Sequence, residues 1–415
     1  MKRVLVVSYG GAHVAVVIPL YQALTNAGLT PVMLGLTTAA DVLRRHGIPI
    51  IRFLDHVDLQ DKQVQRWGEY LCVFHHAEGS GISRSESLAY LGAGMAELVR
   101  DVGEQAALAR YRAAGLNALL PVKLMLKILL AENIDAVIAT DSPRAERATL
   151  NAAAQLSLPS VCVVSSFPDI GMHYLKRADN GAVMCVLNER FKDQLVAAGR
   201  APSSVQATGN PAFDALIVPD AGPLRESLRT RSGLATNVWT VLWAEQPEPM
   251  DPTLPHRMRH ELTEICAANG WRLVVRLHPS SQPADSIAIA GGMLLSPRTE
   301  SVRDALLKSD AVVTFTSTIG FEALVLDKPV VVVAVSQYSN FVDYRDTDGV
   351  WVVNSMESVE TALLGWFHND TQARTLALNR RAFPRTGESA RAIVDCLIRQ
   401  QPPTPPQYPR NHEQS

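Results

Sequence analysis

Three groups of residues in this 415-residue chain have the types and spacing to do chemistry. The first is Ser8-Tyr9-Gly10-Gly11-Ala12-His13-Val14, between an apolar run and a helical stretch containing Pro19-Leu20. Gly10 and Gly11 let the backbone turn sharply and approach a ligand closely. His13 then falls near a helix start at the mouth of a sheet, where a neutral imidazole can accept a proton. The spacing G-x-G-x-x-G is absent, so this is not a dinucleotide-binding loop. The second group is Val274-Val275-Arg276-Leu277-His278-Pro279-Ser280-Ser281, a buried run ending in His-Pro. Open α/β sheets bind ligands at that carboxyl edge. The third runs from Asp310 through Thr316-Ser317-Thr318-Ile319-Gly320-Phe321-Glu322 to Lys328-Pro329 and reads as strand, hydroxyl-rich turn, short helix and strand. With Thr316 or Ser317 as N-cap, the N–H groups of Thr318, Ile319 and Gly320 would face a phosphate at the positive end of the helix. Glu322, one turn on, has the reach to accept hydrogen bonds from ribose hydroxyls. Each group also has a plain structural reading as a turn, a strand end or a capped helix.

Further polar residues stand near these groups in type. Asp141, in Thr140-Asp141-Ser142-Pro143-Arg144, closes a strand-like run. It can orient His13, act as base itself, or cap a helix beginning at Arg144, and capping is the commonest of these roles. Glu78, in His75-His76-Ala77-Glu78-Gly79-Ser80-Gly81, is a surface loop residue or another candidate base. Gln246 follows another strand and, like Arg276, can line a cleft. Asp346-Thr347-Asp348 has the spacing of a metal-binding pair but lies in a polar loop, and no metal is expected there.

The elements that must position these residues alternate along the chain. Strand-like apolar runs occur at 3–7, 31–36, 48–53, 135–139, 160–164 and 182–187, then at 239–243, 272–277, 311–315, 330–333 and 350–353. They are apolar on both faces, as in parallel sheets covered by helices. That rhythm implies two doubly wound α/β domains. Turn residues at Thr208-Gly209-Asn210-Pro211 place the seam, giving expected domains 1–210 and 211–400, with the last helices free to cross back. The Pro-rich tail 401–415 is expected to be disordered, and 85–132 to be a helical insertion. A near balance of 39 Lys+Arg and 41 Asp+Glu excludes the broad basic surface of a nucleic-acid binder. Five scattered Cys without C-x-x-C point to buried thiols in a reducing compartment. No run reaches the ~18–20 apolar residues of a membrane span. Val4-Leu5-Val6-Val7 is too short for a signal-peptide core, so a cytoplasmic protein is expected. The stretch 121–130, with Lys123 and Lys127, suits a core helix with snorkelling lysines or peripheral contact with a membrane.

These motifs carry a resemblance. Gly10-Gly11-Ala12-His13-Val14 with Ile18-Pro19-Leu20, Ala23-Leu24, Ala27-Gly28 and Gly47-Ile48-Pro49 resembles the opening of GT-B fold glycosyltransferases, although Ala12 stands where that family has a glycine. His278-Pro279 with Ser317-Thr318 is similar to the paired motifs of bacterial sialyltransferases and capsule Kdo transferases, and His-Pro also occurs in CDP-glycerol phosphotransferases. Glu322-Ala323-Leu324 followed by Lys328-Pro329-Val330-Val331 resembles the GT-B element whose Glu binds ribose. Glu78-Gly79 loosely resembles the acidic-acidic-Gly motif of sialyltransferases, with Ala77 replacing the first acid. The likeness covers 2–49 and 272–333, and between them only the strand–helix rhythm matches.

The resemblance implies an α/β GT-B fold, two Rossmann-like domains facing each other across a cleft, and an inverting glycosyltransferase needing no metal or other cofactor. His278, Pro279, Thr316, Ser317, Thr318, Gly320 and Glu322 would hold the nucleotide of a CMP- or UDP-linked sugar donor. His13, with Asp141 or Glu78 as orienter or substitute, would deprotonate the acceptor hydroxyl, and Gly10, Gly11, Arg276 and Gln246 would line the cleft. The implied acceptor is a glycan or lipid-linked glycan of bacterial capsule, lipopolysaccharide or related envelope synthesis, beside the inner membrane. Three alternatives stay open. One is a UDP-N-acetylglucosamine 2-epimerase, whose interdomain segment Thr208-Gly209-Asn210-Pro211 resembles. That family's Ser-Gly-Gly-x-x-Glu-Glu and His-Arg-Arg-Glu-Asn runs are replaced here by the Thr316 to Glu322 segment and by Ala244-Glu245-Gln246-Pro247. The others are a CDP-glycerol-type polyol phosphate transferase and a catalytically silent relative serving as a scaffold.

Overall fold

The computed structural model describes residues 1–78, 81–165, 167–278, 293–339, 342, 344–345, 347, 349–367 and 387–400. Pro279, Asp346, Asp348 and the tail 401–415 lie outside the described residues.

The first half contains β1 (Arg3–Ser8), α1 (Ala12–Asn26), β2 (Thr30–Gly35), α2 (Ala39–Arg45), β3 (Ile50–Ile51), α3 (Lys62–His75), α4 (Arg84–Val102), α5 (Glu104–Ala114), α6 (Val122–Ala131), β4 (Ala136–Thr140), α7 (Ala145–Gln155), β5 (Ser160–Val163), α8 (Pro168–Leu175), β6 (Val183–Val186), α9 (Glu189–Ala197) and β7 (Val205–Ala207). The second contains α10 (Pro211–Asp214), α11 (Ala221–Arg231), β8 (Thr240–Ala244), α12 (Leu254–Ala268), β9 (Arg272–Arg276), β10 (Leu294–Leu295), α13 (Val302–Lys308), β11 (Ala311–Thr314), α14 (Ile319–Val325), β12 (Val330–Val333), β13 (Val350–Val353), α15 (Val359–Phe367) and α16 (Ser389–Ile398).

All strand pairs are parallel, in two sheets ordered β3-β2-β1-β4-β5-β6-β7 and β10-β9-β8-β11-β12-β13. Burial on both faces explains the unbroken apolar runs. Val4 and Val6 of β1 enter a core with Val17, Leu20 and Leu24 of α1 and Ile393 and Leu397 of α16. Leu5 and Val7 face the opposite side, with Ile128 of α6 and Ala148 of α7. Each sheet changes direction once, between β1 and β4 and between β8 and β11. The two crevices that open there are where ligands bind in such folds.

Two local expectations change. The strand expected at 48–53 contracts to Ile50–Ile51, because Phe53–Asp55 forms a 3₁₀ turn closed by Arg52 and Asp55. Strands β7 and β10 were not expected, being three and two residues long. The insertion at 85–132 is helical as expected, in three helices divided at Gly103 and by the 3₁₀ turn Gly115–Ala118. Lys123 pairs with Asp101, Lys127 donates to the His56 carbonyl, and Met125, Ile128 and Leu129 of α6 are buried. Among the described residues no single helix is long and apolar enough to cross a membrane.

An aromatic cluster joins the two halves. Phe167 lies 4.8 Å from Phe321 and 5.2 Å from Tyr344 between ring centroids, and Phe191 lies 5.8 Å from Phe321. Arg190 adds a 2.6 Å hydrogen bond to Thr347. The start of α14 is thereby seated on the loop leaving β5.

Candidate functional site

In the second sheet the crevice is bridged by Gln246, which follows β8. Its Nε2 donates to Thr316 Oγ1 at 2.7 Å, and its Oε1 accepts from the Thr316 N–H at 3.0 Å. Gln246 thus clasps the turn after β11. Beside the clasp is a cavity of about 470 Å³ whose walls include Arg276, His278, Ser317, Thr318 and Glu322. Arg276 donates to Ser296 Oγ and the Glu300 carbonyl, and its burial lowers its pKa. Partial burial also lowers the pKa of His278. Glu322 is set deep in the wall with one edge open to the cavity, and burial pushes its carboxyl up to about 7 against the opposing field of Arg276.

Two of the three N–H groups expected to be free are engaged: Ser317 Oγ accepts from the Ile319 N–H, and the Ser317 carbonyl from the Gly320 N–H. Thr318, rather than Thr316 or Ser317, stands at the N-cap, and α14 is only seven residues long. The groups that line the cavity here include the side chains of Ser317, Thr318 and Glu322. Gly320 is small because Tyr344 lies against it: a Cβ there would be 2.6 Å from Tyr344 Oη, which donates to the Ser317 carbonyl at 2.6 Å. Gly320→Ala is expected to destabilise the fold by about 1–3 kcal/mol in urea unfolding, since overpacking outweighs the gain in helix propensity. Unchanged stability would show that Tyr344 yields freely.

In the first sheet, His13 occupies the first turn of α1, and Asp141 follows β4. The structure brings them together through Ser165, which sequence reasoning missed. Ser165 Oγ donates to Asp141 Oδ1 at 2.7 Å and lies 3.2 Å from His13 Nδ1; the direct His13–Asp141 separation is 3.8 Å. A carboxylate only accepts, so the serine proton points to Asp141 and Ser165 Oγ accepts from the His13 Nδ1–H. Nε2 is then the nitrogen that can take a proton. Asp141 does not cap α7: Arg144 stands at that N-cap and no side chain caps it. Asp141 instead also accepts the Ser165 N–H at 3.1 Å, while its own carbonyl accepts from Tyr174. Gly11 opens α1 at φ 61°, and Gly10 packs against Thr38, not against open space. Glu78 lies exposed in the loop after α3. Glu146 of α7 is fully buried, and burial pushes its carboxyl up towards the neutral form. Among the described residues no group of three or more His, Cys, Asp or Glu could hold a metal ion.

No family model matches the sequence, and no curated protein matches it. Solved structures do match in fold. One is UDP-GlcNAc 2-epimerase from Neisseria meningitidis bound to UDP-GlcNAc, at TM-score 0.60 and 14% identity, covering 96% of this chain and 100% of that one. Another is UDP-GlcNAc 2-epimerase from Methanocaldococcus jannaschii, at TM-score 0.56 and 12% identity, covering 96% and 99%. A third is CalG4, the calicheamicin glycosyltransferase, at TM-score 0.60 and 14% identity, covering 97% and 100%. The chain has the GT-B fold, two Rossmann-like domains facing a cleft.

Proposed function

We propose that the chain is an enzyme of nucleotide-sugar chemistry that transfers a sugar from a nucleotide to an acceptor hydroxyl. Residues 1–210 would form the acceptor-side domain and 211–400 the donor-side domain. The observation that carries the reading is the pairing of two crevices: a cavity into whose largely apolar wall Arg276, His278, Ser317, Thr318 and Glu322 are set at one switch point, and the His13–Ser165–Asp141 chain at the other. Glu322 would accept from ribose hydroxyls, and Arg276 with the Ser317 and Thr318 hydroxyls would meet the phosphate. His13 would deprotonate the acceptor for a single displacement that inverts the anomeric carbon. The aromatic cluster of Phe167, Phe321 and Tyr344 would hold donor and base in one frame, excluding water from the donor. This chemistry is proposed to need no metal. A CMP- or UDP-linked donor and a glycan acceptor of envelope synthesis follow from the resemblance of the His278-Pro279 and Ser317-Thr318 motifs.

A second reading, 2-epimerisation of a UDP-sugar, is favoured by the epimerases among the structural neighbours. Against it stand the replaced epimerase motifs, Thr316 to Glu322 and Ala244-Glu245-Gln246-Pro247. Melting the protein with CMP, CDP, UDP and GDP tests the common ground: the right nucleotide at 100 times its Kd should stabilise by about 2.7 kcal/mol. If none does, both readings fail. Incubation with UDP-GlcNAc alone in deuterated water then separates them, because epimerisation exchanges the sugar C2 hydrogen and transfer does not.

A further inference from the structure

At the carboxyl edge of the first sheet, where β1 and β4 part, lies a cavity of about 70 Å³ walled by Tyr9, Thr37, His75, Glu86, Tyr90 and Arg144, among others. Three polar atoms of these walls are shut off from solvent and make no hydrogen bond: Tyr90 Oη, Thr37 Oγ1 and Arg144 Nε. Buried polar atoms are seldom left unpaired, and a cluster of them calls for a ligand or water. Thr37 also sits at φ 48°, a left-handed conformation that strains a β-branched residue and is retained mainly at functional positions.

The chemistry of the three is one-sided. Arg144 Nε–H only donates, Tyr90 keeps its proton because burial raises its pKa far above the ordinary value, and the Thr37 hydroxyl can donate as well. The Arg144 guanidinium lies 4.2 Å above the Tyr9 ring. The acids nearby are engaged elsewhere or fully buried. Glu86 accepts from the backbone of Phe53 and Leu54 beside Arg52, and Glu146 is fully buried, with burial raising its pKa. His75 is tied to Tyr111 at 2.6 Å. Arg144 supplies a fixed positive charge to the wall.

We propose that this cavity binds the carboxylate of the acceptor, so that the acceptor class is a hydroxyl compound bearing an acid group, such as an acidic sugar. Calling the occupant an acceptor rests on the transfer reading; the carboxylate site does not. Tyr9 and Arg144 follow β1 and β4 at the switch point, and His13 lies in the first turn of the helix that Tyr9 leads into, so an anchored acid would place a nearby hydroxyl towards the base. The volume suits a carboxylate or one or two waters rather than a sugar ring.

Titration of the full chain, carrying ¹³C-labelled tyrosine, with acetate, acetamide and inorganic phosphate reads the site directly by NMR. Acetate is expected to shift Tyr9 and Tyr90 signals saturably, with acetamide at least about tenfold weaker because charge-assisted bonds are the strong ones. Arg144→Met should abolish the acetate response and Tyr90→Phe should weaken it several-fold, whereas Arg144→Lys should retain part of it. Should Arg144→Met fail to fold, Tyr90→Phe, which removes a single oxygen, still decides. Equal response to acetate and acetamide, or saturation by neither, overturns the site and leaves ordered water. Tighter binding of phosphate than of acetate overturns the carboxylate assignment. Acetate binding in a protein that ignores every nucleotide would leave this site standing while the transfer reading falls.

Discussion

His13→Ala should lower single-turnover sugar transfer by about 10²–10⁴-fold, the usual contribution of a positioned general base. Affinity for the nucleotide should stay unchanged, because His13 stands on the opposite sheet from the cavity of Arg276 and Glu322. Asp141 takes the Ser165 N–H and hydroxyl proton, Ser165 Oγ takes the His13 Nδ1–H, and His13 Nε2 is left able to accept. Ser165→Ala leaves the imidazole in place but releases its tautomer and orientation, so a smaller loss, about tenfold, is expected, with Ser165→Thr recovering part of it. Donor consumption measured at saturating nucleotide sugar, beside nucleotide melts of each variant, separates loss of base from loss of binding. Full activity in His13→Ala would remove it as base and transfer that role to Asp141 or to exposed Glu78, each tested by its own alanine variant.

The fold was legible because parallel strands buried on both faces leave unmistakable runs: 330–333 and 350–353 were read to the residue. What escaped was held by tertiary contact. Two-residue β10 is a strand only because Leu294 and Leu295 pair with Val274 and Val275. In the site, Asp141 and Arg276 at strand ends, and His13 and Glu322 in the helices that follow strands, are chemically conspicuous. Ser165 is one of many serines, and its meaning arises only when β4 and β5 set it beside Asp141. Tyr90 and Arg144 come from α4 and from beyond β4, more than fifty residues apart, and no spacing rule joins them. Why Gly320 is a glycine was illegible for the same reason: the ring against it belongs to Tyr344, beyond β12 in the chain.

Glu322→Gln should strengthen the fold at pH 8 while weakening nucleotide binding. A carboxyl titrating near 7 instead of its ordinary 4.5 keeps its proton in the folded chain where the unfolded chain has lost it. Folding therefore binds a proton between pH 4.5 and 7, and stability falls as pH rises through that window. By pH 8 the cost of the buried charge is at most about 3 kcal/mol, less where the open edge of Glu322 is solvated. Glutamine does not titrate, so its advantage should appear above pH 7 and shrink towards pH 4.5. Arg276 does not reverse the sign, because its field is already opposed to the larger effect of burial. The cost is what a ligand would repay. Two ribose hydroxyls donating to the carboxylate would be charge-assisted bonds of about 1.5–3 kcal/mol each, so Glu322→Ala should weaken nucleotide binding by at least about tenfold to a hundredfold. Urea melts at pH 5 and pH 8, with nucleotide titrations at pH 8, measure both sides. A Gln variant no more stable than the parent at pH 8 would mean that Glu322 is well solvated. One that gains stability yet binds nucleotide equally well would move the ribose elsewhere in the cavity and leave the buried carboxylate without a function.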